Sequence, residues 1–174
     1  MEILNYQQRQ KPDNTNDCEF YAKPKFVYHL DSNFRKNLSK LYEDEITENS
    51  SILDLMSSWD SYLPKNIKYK KVIGHGLNKE ELERNKAFDH YWIQNFNNNQ
   101  KIPLEDKTID YCLMVAAWQY LQYPEKIAEE IARILKNNGK FLVAFSNRAF
   151  WHKAPNIWTY SNEIERIYYV RKVL

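Results

Sequence analysis

Glycine is scarce in this chain of 174 residues, which contains only Gly74, Gly76 and Gly139. The apolar segment 52–55 has the pattern of a short buried strand, and the turn after it, 56–61, reads MSSWDS. A turn that binds a nucleotide-like ligand normally carries glycines, because backbone amides must approach the ligand closely. The chain therefore lacks the usual residues of such a turn where its strand pattern predicts one.

Other features that the chain lacks exclude further classes of function. Two cysteines, Cys18 and Cys112, are too few for a four-ligand zinc site, and we expect neither a disulfide nor a metal centre. No apolar run approaches the roughly 18 residues that cross a bilayer, and the N-terminus lacks an apolar signal core. The net charge of +2 is too small to indicate a polyanionic partner. We therefore expect a cytoplasmic protein without a membrane partner.

The length and the hydrophobic content of 43% predict one domain with a substantial core. Residues 1–20 are polar and lack periodicity, which predicts a flexible N-terminal arm followed by a single domain over 21–174. The aromatic segment 26–31 is expected to be an extended piece or a cap. Ser32 is expected to cap the helix that follows it.

Strand and helix patterns then alternate along the chain. The predicted strands are 52–55, 71–74, 91–93, 109–115 and 141–145. Predicted helices begin at Asn78 and Pro124, and a last one covers about 163–173. Alternation of unbroken apolar strands with helices favours a mainly parallel sheet covered on both faces, with the first strand between the second and the fourth. Such sheets bind ligands at the carboxyl ends of their strands.

Two motifs carry a resemblance to a known family. Segment 102–110 reads IPLEDKTID and resembles the pattern LPFxDxxFD, and 128–140 reads AEEIARILKNNGK and resembles ExxRVLKPGG. In this order and spacing they are typical of the class I S-adenosylmethionine-dependent methyltransferases, particularly type 11. The resemblance implies a Rossmann-like α/β fold. Segment 21–31 also resembles a methyltransferase-like subgroup from cyanobacteria and plastids.

The chain departs from that family at its first two motifs. Asp54 falls on the acidic position that usually precedes GxGxG, but Met56, Ser58 and Asp60 replace the glycines. Gly76 stands where the family has an acid that binds the ribose hydroxyls. The resemblance therefore implies weak cofactor binding, and it implies that Gly76→Asp would strengthen it. The family's last two strands are also expected to be missing.

The resemblance implies methylation of a small molecule with S-adenosylmethionine as cofactor. The residues expected to bind the cofactor are Asp54, Ser57, Ser58, Gly76, Leu77, Asn78, Asn95 and Ala116. Several of these have structural alternatives: Asp54 could satisfy local amides, the two serines could cap a helix, and Asn78 is a natural helix cap. The alternative function is a catalytically silent domain that binds a ligand or a protein.

No catalytic residue is identified from the sequence. His29 and His75 are the histidines nearest to the predicted site, and a histidine is the natural proton acceptor near neutral pH. The turn 116–120, AAWQY, lacks the [DN]PP[FY] motif of many methyltransferases that act on DNA bases, so no nucleic-acid partner is expected. A fifth strand with a bare edge predicts a homodimer contact or cover by 147–174.

Overall fold

The computed structural model describes residues 2–174 and contains a five-stranded, fully parallel sheet. The strands lie in the order β3-β2-β1-β4-β5. Their bounds are Ser51–Leu55 for β1, Lys71–Gly76 for β2, His90–Ile93 for β3, Ile109–Val115 for β4 and Leu135–Ala144 for β5. The predicted α/β architecture is confirmed, with β1 between β2 and β4. All five carboxyl ends therefore meet at one edge of the sheet.

Seven α-helices and two 3₁₀ turns connect and cover the strands within residues 2–174. The helices are α1 (Tyr6–Arg9), α2 (Asp17–Phe20), α3 (Ser32–Glu45), α4 (Lys79–Arg84), α5 (Pro124–Ile134), α6 (Asn156–Thr159) and α7 (Glu163–Val173), and the 3₁₀ turns are Trp118–Tyr120 and Trp151–Lys153. None of the helices in this part of the chain is long and apolar enough to cross a membrane.

The sheet separates two apolar layers, because alternate residues of each strand point to opposite faces. On one face, Leu38 and Tyr42 of α3 join the cluster that contains Ile52 of β1. On the other face, Ile127 of α5 joins the larger cluster that contains Leu53. All five residues of β1 are buried, as expected for the central strand of a doubly covered sheet. A rigid centre thus carries the loops at the carboxyl edge.

Helix ends follow local chemistry, with two differences from the prediction. Asp31, and not Ser32, caps α3: its carboxylate accepts a hydrogen bond of 2.9 Å from the Phe34 amide. Asn78 caps α4 as predicted, and Pro124 occupies the first turn of α5. Helix α5 ends at Ile134 and the chain enters β5 at once, before the Asn-Asn-Gly segment 137–139, which is typical of a helix end. The pairing of β5 with β4 passes from Leu135 directly to Lys140, and Asn138 between them is left-handed with φ of 67°, so the Asn-Gly signal produces an irregular turn inside β5.

The N-terminal segment is packed against the domain, in contrast to the expected loose arm. Leu4 is part of the larger apolar cluster. Arg9 forms a buried ion pair with Glu125 of α5, and Lys11 lies 2.8 Å from the Asp17 carboxylate. Buried ion pairs between polar residues hold this segment in place, and hydropathy patterns do not reveal such pairs.

Strand β5 lies at the edge of the sheet and pairs with β4 alone. The chain after it returns over the sheet, where Trp158 packs edge-to-face on Phe145 with ring centroids 5.2 Å apart. A homodimer contact along β5 stays a prediction.

Candidate functional site

A cavity of about 420 Å³ opens at the carboxyl ends of β1, β2 and β4. Its volume lies in the usual range for small-ligand sites. It brings together all eight residues predicted from the sequence: Asp54, Ser57, Ser58, Gly76, Leu77, Asn78, Asn95 and Ala116. These residues come from four loops that follow β1, β2, β3 and β4, and the parallel sheet places those loops side by side.

Asp54 is a buried carboxylate at the end of β1. It accepts a hydrogen bond of 2.6 Å from the Ser57 hydroxyl. Burial raises the pKa of Asp54 to about 7, against hydrogen bonds from Ser57 and Ser61 that lower it. Within residues 2–174 Asp54 forms no ion pair. A positively charged group in the cavity would therefore favour its ionised form.

The turn after β1 is fixed by side chains instead of glycines. Met56 adopts a left-handed conformation with φ of 53°, and the Ser57 amide donates to the His75 carbonyl over 2.6 Å. The Ser58 hydroxyl donates to the Glu81 carboxylate, also over a short distance of 2.5 Å, and Asn85 donates to the Ser58 carbonyl. The turn is thus held by His75 of β2 and by Glu81 and Asn85, which follow β2 in the chain.

His75 links three loops and has no ring nitrogen left for catalysis. Its Nδ1 accepts from the Met56 amide at 3.1 Å, so Nε2 carries the proton and donates to the Gln94 carbonyl at 2.8 Å. The ring stacks on Phe96 with centroids 4.0 Å apart. Burial lowers the pKa of His75 to about 4, which keeps it neutral at physiological pH. His75, one of the two histidines nearest to the predicted site, is therefore a structural residue.

Gly76 is required because the backbone of the neighbouring turn lies against it. A Cβ atom at this position would lie 2.6 Å from the Ser57 carbonyl oxygen and 3.1 Å from Leu82. The first distance is shorter than any ordinary contact, so a side chain here would displace the turn. This corrects the expectation that an aspartate at position 76 would restore an acceptor for the cofactor.

The predicted asparagines already have protein partners. Asn78 accepts from the Glu81 amide at 3.0 Å and donates to the Tyr21 and Ala22 carbonyls. The Asn95 side-chain oxygen accepts from the Asn97 amide at 2.9 Å. Asn78 thereby ties the segment before α3 to α4, which agrees with the helix-cap alternative. Its role towards a cofactor stays a prediction, as do those of the other seven residues.

Two polar residues of the cavity were missed by sequence reasoning. Glu81 of α4 is buried and lines the cavity, and the only signal for it was an acidic first turn. Gln119 is also buried there, and its Oε1 accepts no hydrogen bond within the described residues. Gln119 belongs to a strand-end loop that the topology marks for ligand binding, so its position was predictable and its free oxygen was not.

The far side of the cavity is aromatic. Tyr120 stacks on Phe150 with centroids 6.2 Å apart, and His29 meets Phe150 edge-on at 5.5 Å. Tyr21 completes this wall, with its ring centroid 6.4 Å from that of Phe150, whereas Tyr28 packs on Trp59 at 4.6 Å. Burial lowers the pKa of His29 below its usual value, so the imidazole is neutral near pH 7. No hydrogen bond to its ring nitrogens is found within residues 2–174, which leaves His29 able to accept a proton.

Comparison with known proteins gives the same family as the motifs. Residues 60–143 match a family model described as "Methyltransferase domain". A stretch of 44 residues is 41% identical to sterol 4-C-methyltransferase strm-1 of Caenorhabditis elegans, covering 25% of this chain and 13% of that protein.

Solved structures share the fold. A SAM-dependent methyltransferase from Thermotoga maritima gives a TM-score of 0.57 at 20% identity, covering 81% of this chain and 70% of that one. A SAM-dependent methyltransferase from Aquifex aeolicus gives a TM-score of 0.56 at 22% identity. That match covers 83% of this chain and 88% of the Aquifex chain. A chain in a complex containing the Haloferax volcanii Trm112 methyltransferase activator gives 0.52 at 22% identity. The match covers 63% of this chain and about half, 51%, of that one.

Proposed function

We propose that this chain, which matches the methyltransferase family model over residues 60–143, is a class I S-adenosylmethionine-dependent methyltransferase that transfers the methyl group of that cofactor to a small molecule. One observation carries the proposal. The cavity lies at the carboxyl ends of the central strands of a parallel sheet and gathers every residue that the resemblance assigns to the cofactor.

The polar groups that line the cavity are suited to binding this cofactor. S-adenosylmethionine carries an ammonium group and a sulfonium group, and it offers an electrophilic methyl group when bound. Asp54 supplies a buried carboxylate that forms no ion pair within residues 2–174. Gln119 supplies a side-chain oxygen that has no hydrogen-bond partner among the same residues. We infer that Asp54 holds the positive end of the cofactor and that the 56–58 turn, Leu77, Asn95 and Ala116 enclose the rest.

The work of the protein in such a displacement is to align donor and acceptor and to exclude water. The aromatic wall formed by Tyr21, Tyr120 and Phe150 suits an apolar or flat acceptor. His29, neutral and at the edge of this wall, is the side chain best placed to accept the proton that an acceptor loses on methylation. We therefore propose a small-molecule acceptor, with no nucleic acid and no membrane as partner, and a cytoplasmic location.

A second candidate function is a silent binding domain. Several polar groups of the site are already hydrogen-bonded within the protein, in particular Ser57 to Asp54, Ser58 to Glu81 and the Asn78 cap. This closed network favours a binding role over catalysis if the cofactor cannot compete with it.

Isothermal titration with S-adenosylmethionine and S-adenosylhomocysteine separates the two functions. We expect both to bind the wild-type chain, with Asp54→Ala lowering affinity at least about tenfold because it removes a charge-assisted interaction. Asp44→Ala is the matched control, since Asp44 is exposed on α3 and pairs with Lys40 at the surface. Failure of the wild type to bind either compound would overturn the proposed function and leave the silent domain.

A further inference from the structure

The residue at the end of β2, Gly76, has no side chain that could bind the ribose of the cofactor. The ribose of S-adenosylmethionine carries two neighbouring hydroxyl groups, and a carboxylate accepts such a pair well. Gly76 supplies no carboxylate, and a Cβ at this position would lie 2.6 Å from the Ser57 carbonyl oxygen, so a side chain there would displace the turn. Another acceptor is needed if the cavity holds the cofactor.

We propose that Glu81 is this acceptor: a carboxylate supplied by α4, which takes the ribose hydroxyls in place of a residue on β2. The inference rests on the proposed function. Glu81 lines the cavity and is only 8% exposed. Its position beside the end of β2 follows from its contacts, because Gly76 lies against Ser57 and Glu81 binds the next residue, Ser58.

The hydrogen bonds of Glu81 fix the carboxylate and leave capacity for a ligand. Oε2 accepts from the Ser58 hydroxyl at 2.5 Å, and Oε1 accepts from the Lys25 amide at 2.6 Å. A carboxylate has about four acceptor positions, so each oxygen can take one more donor. Among residues 2–174 no cation pairs with Glu81. A buried carboxylate in this state is stabilised by further donors, and two adjacent hydroxyls provide them.

Other carboxylates of the cavity are less suitable. Asp17 is engaged by Lys11 at 2.8 Å and by the Asn97 amide group at 2.9 Å. Asp54 lies at the end of β1, where it accepts from Ser57. Asp60 accepts from the Tyr62 amide at 2.9 Å, inside its own turn. Among these four carboxylates, Glu81 alone accepts both from the turn after β1, at Ser58, and from the segment before α3, at Lys25.

Titration with S-adenosylhomocysteine and its 2′-deoxy and 3′-deoxy analogues tests the assignment. We expect the wild type to bind the parent compound about 10- to 100-fold more tightly than either analogue, as a hydrogen bond to a charged group would give. Glu81→Gln keeps the shape of the side chain but loses its charge. It should therefore weaken binding of the parent compound by a similar factor and bring the ratio of parent to analogue affinity close to one. Glu80→Gln, on the exposed side of the same helix, should change neither affinity.

The pattern of results distinguishes the explanations. If Glu81 only holds the turn, the variant weakens all three ligands equally and keeps the wild-type ratio, which overturns the inference. If Glu81→Gln does not fold, as judged by its thermal unfolding, the wild-type ratio decides: equal binding of parent and analogues overturns the inference. If the wild type binds none of the three ligands, the proposed function itself fails.

Discussion

Asp54 and His75 lie at the ends of two paired strands, yet the protein uses them in different ways. Both are buried, and the register of β1 and β2 places Asp54 opposite Gly74, next to His75. Burial moves both towards the neutral form, raising the pKa of Asp54 to about 7 and lowering that of His75 to about 4. His75 has both ring nitrogens bonded within the protein, whereas Asp54 receives only neutral serine donors and faces the cavity.

This difference gives a criterion for polar residues at strand ends. A polar side chain whose atoms are all bonded within the protein belongs to the framework, even when it lines a cavity. One with spare acceptor capacity is available to a ligand. By this criterion His75 belongs to the framework, and Asp54, Glu81 and Gln119 have acceptor capacity that a ligand can use.

The largest expected effect is the loss of the His75 hydrogen bonds. His75→Phe keeps a ring to stack on Phe96 but leaves the Met56 amide and the Gln94 carbonyl without partners. Two buried polar groups left unpaired should lower the free energy of unfolding by about 3 to 5 kcal/mol. Denaturation in urea measures this loss.

His90→Phe is the matched control, because His90 begins the neighbouring strand β3 and is exposed. It should change the stability by less than about 0.5 kcal/mol. A His75→Phe protein as stable as the wild type would contradict the framework role and reopen His75 as a functional residue.

A smaller loss of stability is expected for substitutions at Gly76. The change in cofactor affinity should be a decrease, whereas the family resemblance implies an increase. Gly76→Asp must move the Ser57 carbonyl, and overpacking of this kind costs about 2 to 3 kcal/mol. Because the same turn borders the cavity, affinity for S-adenosylhomocysteine should fall. Gly76→Ala measures the cost of the Cβ alone. Tighter binding by Gly76→Asp than by the wild type would show that the turn can yield and that position 76 can hold the acid.

These cases show which features could be predicted from sequence. The strand order was predictable because apolar runs and crossover rules depend on local pattern. The eight cavity residues were predictable because a parallel sheet gathers its strand ends. The role of Glu81 was not predictable, because its carboxylate accepts a hydrogen bond from the Lys25 amide, 56 positions away in the chain. The packed N-terminus was missed for the same reason: Arg9 meets Glu125 across 116 positions.

The smallest effect concerns the charge on Asp54. Its pKa is about 7 in the folded protein, above the ordinary value of 3.8, so the folded state binds this proton more tightly. The resulting stabilisation is complete below pH 4 and is lost as the pH rises towards 7. Asp54→Asn stays neutral, so it should be more stable than the wild type at pH 8, where the wild-type carboxylate is ionised. Near pH 4 the two should be equal.

His75 has the opposite pH dependence, because a pKa lowered to about 4 makes the protein gain stability between pH 4 and 6.5. Both proteins contain His75, so its contribution cancels in their difference, and urea denaturation of each at pH 5 and pH 8 isolates Asp54. The same substitution should weaken S-adenosylmethionine binding most above pH 7, where the wild-type carboxylate is ionised. An Asp54→Asn protein less stable than the wild type at pH 8 would mean that the carboxylate is bound within the framework after all, as His75 is.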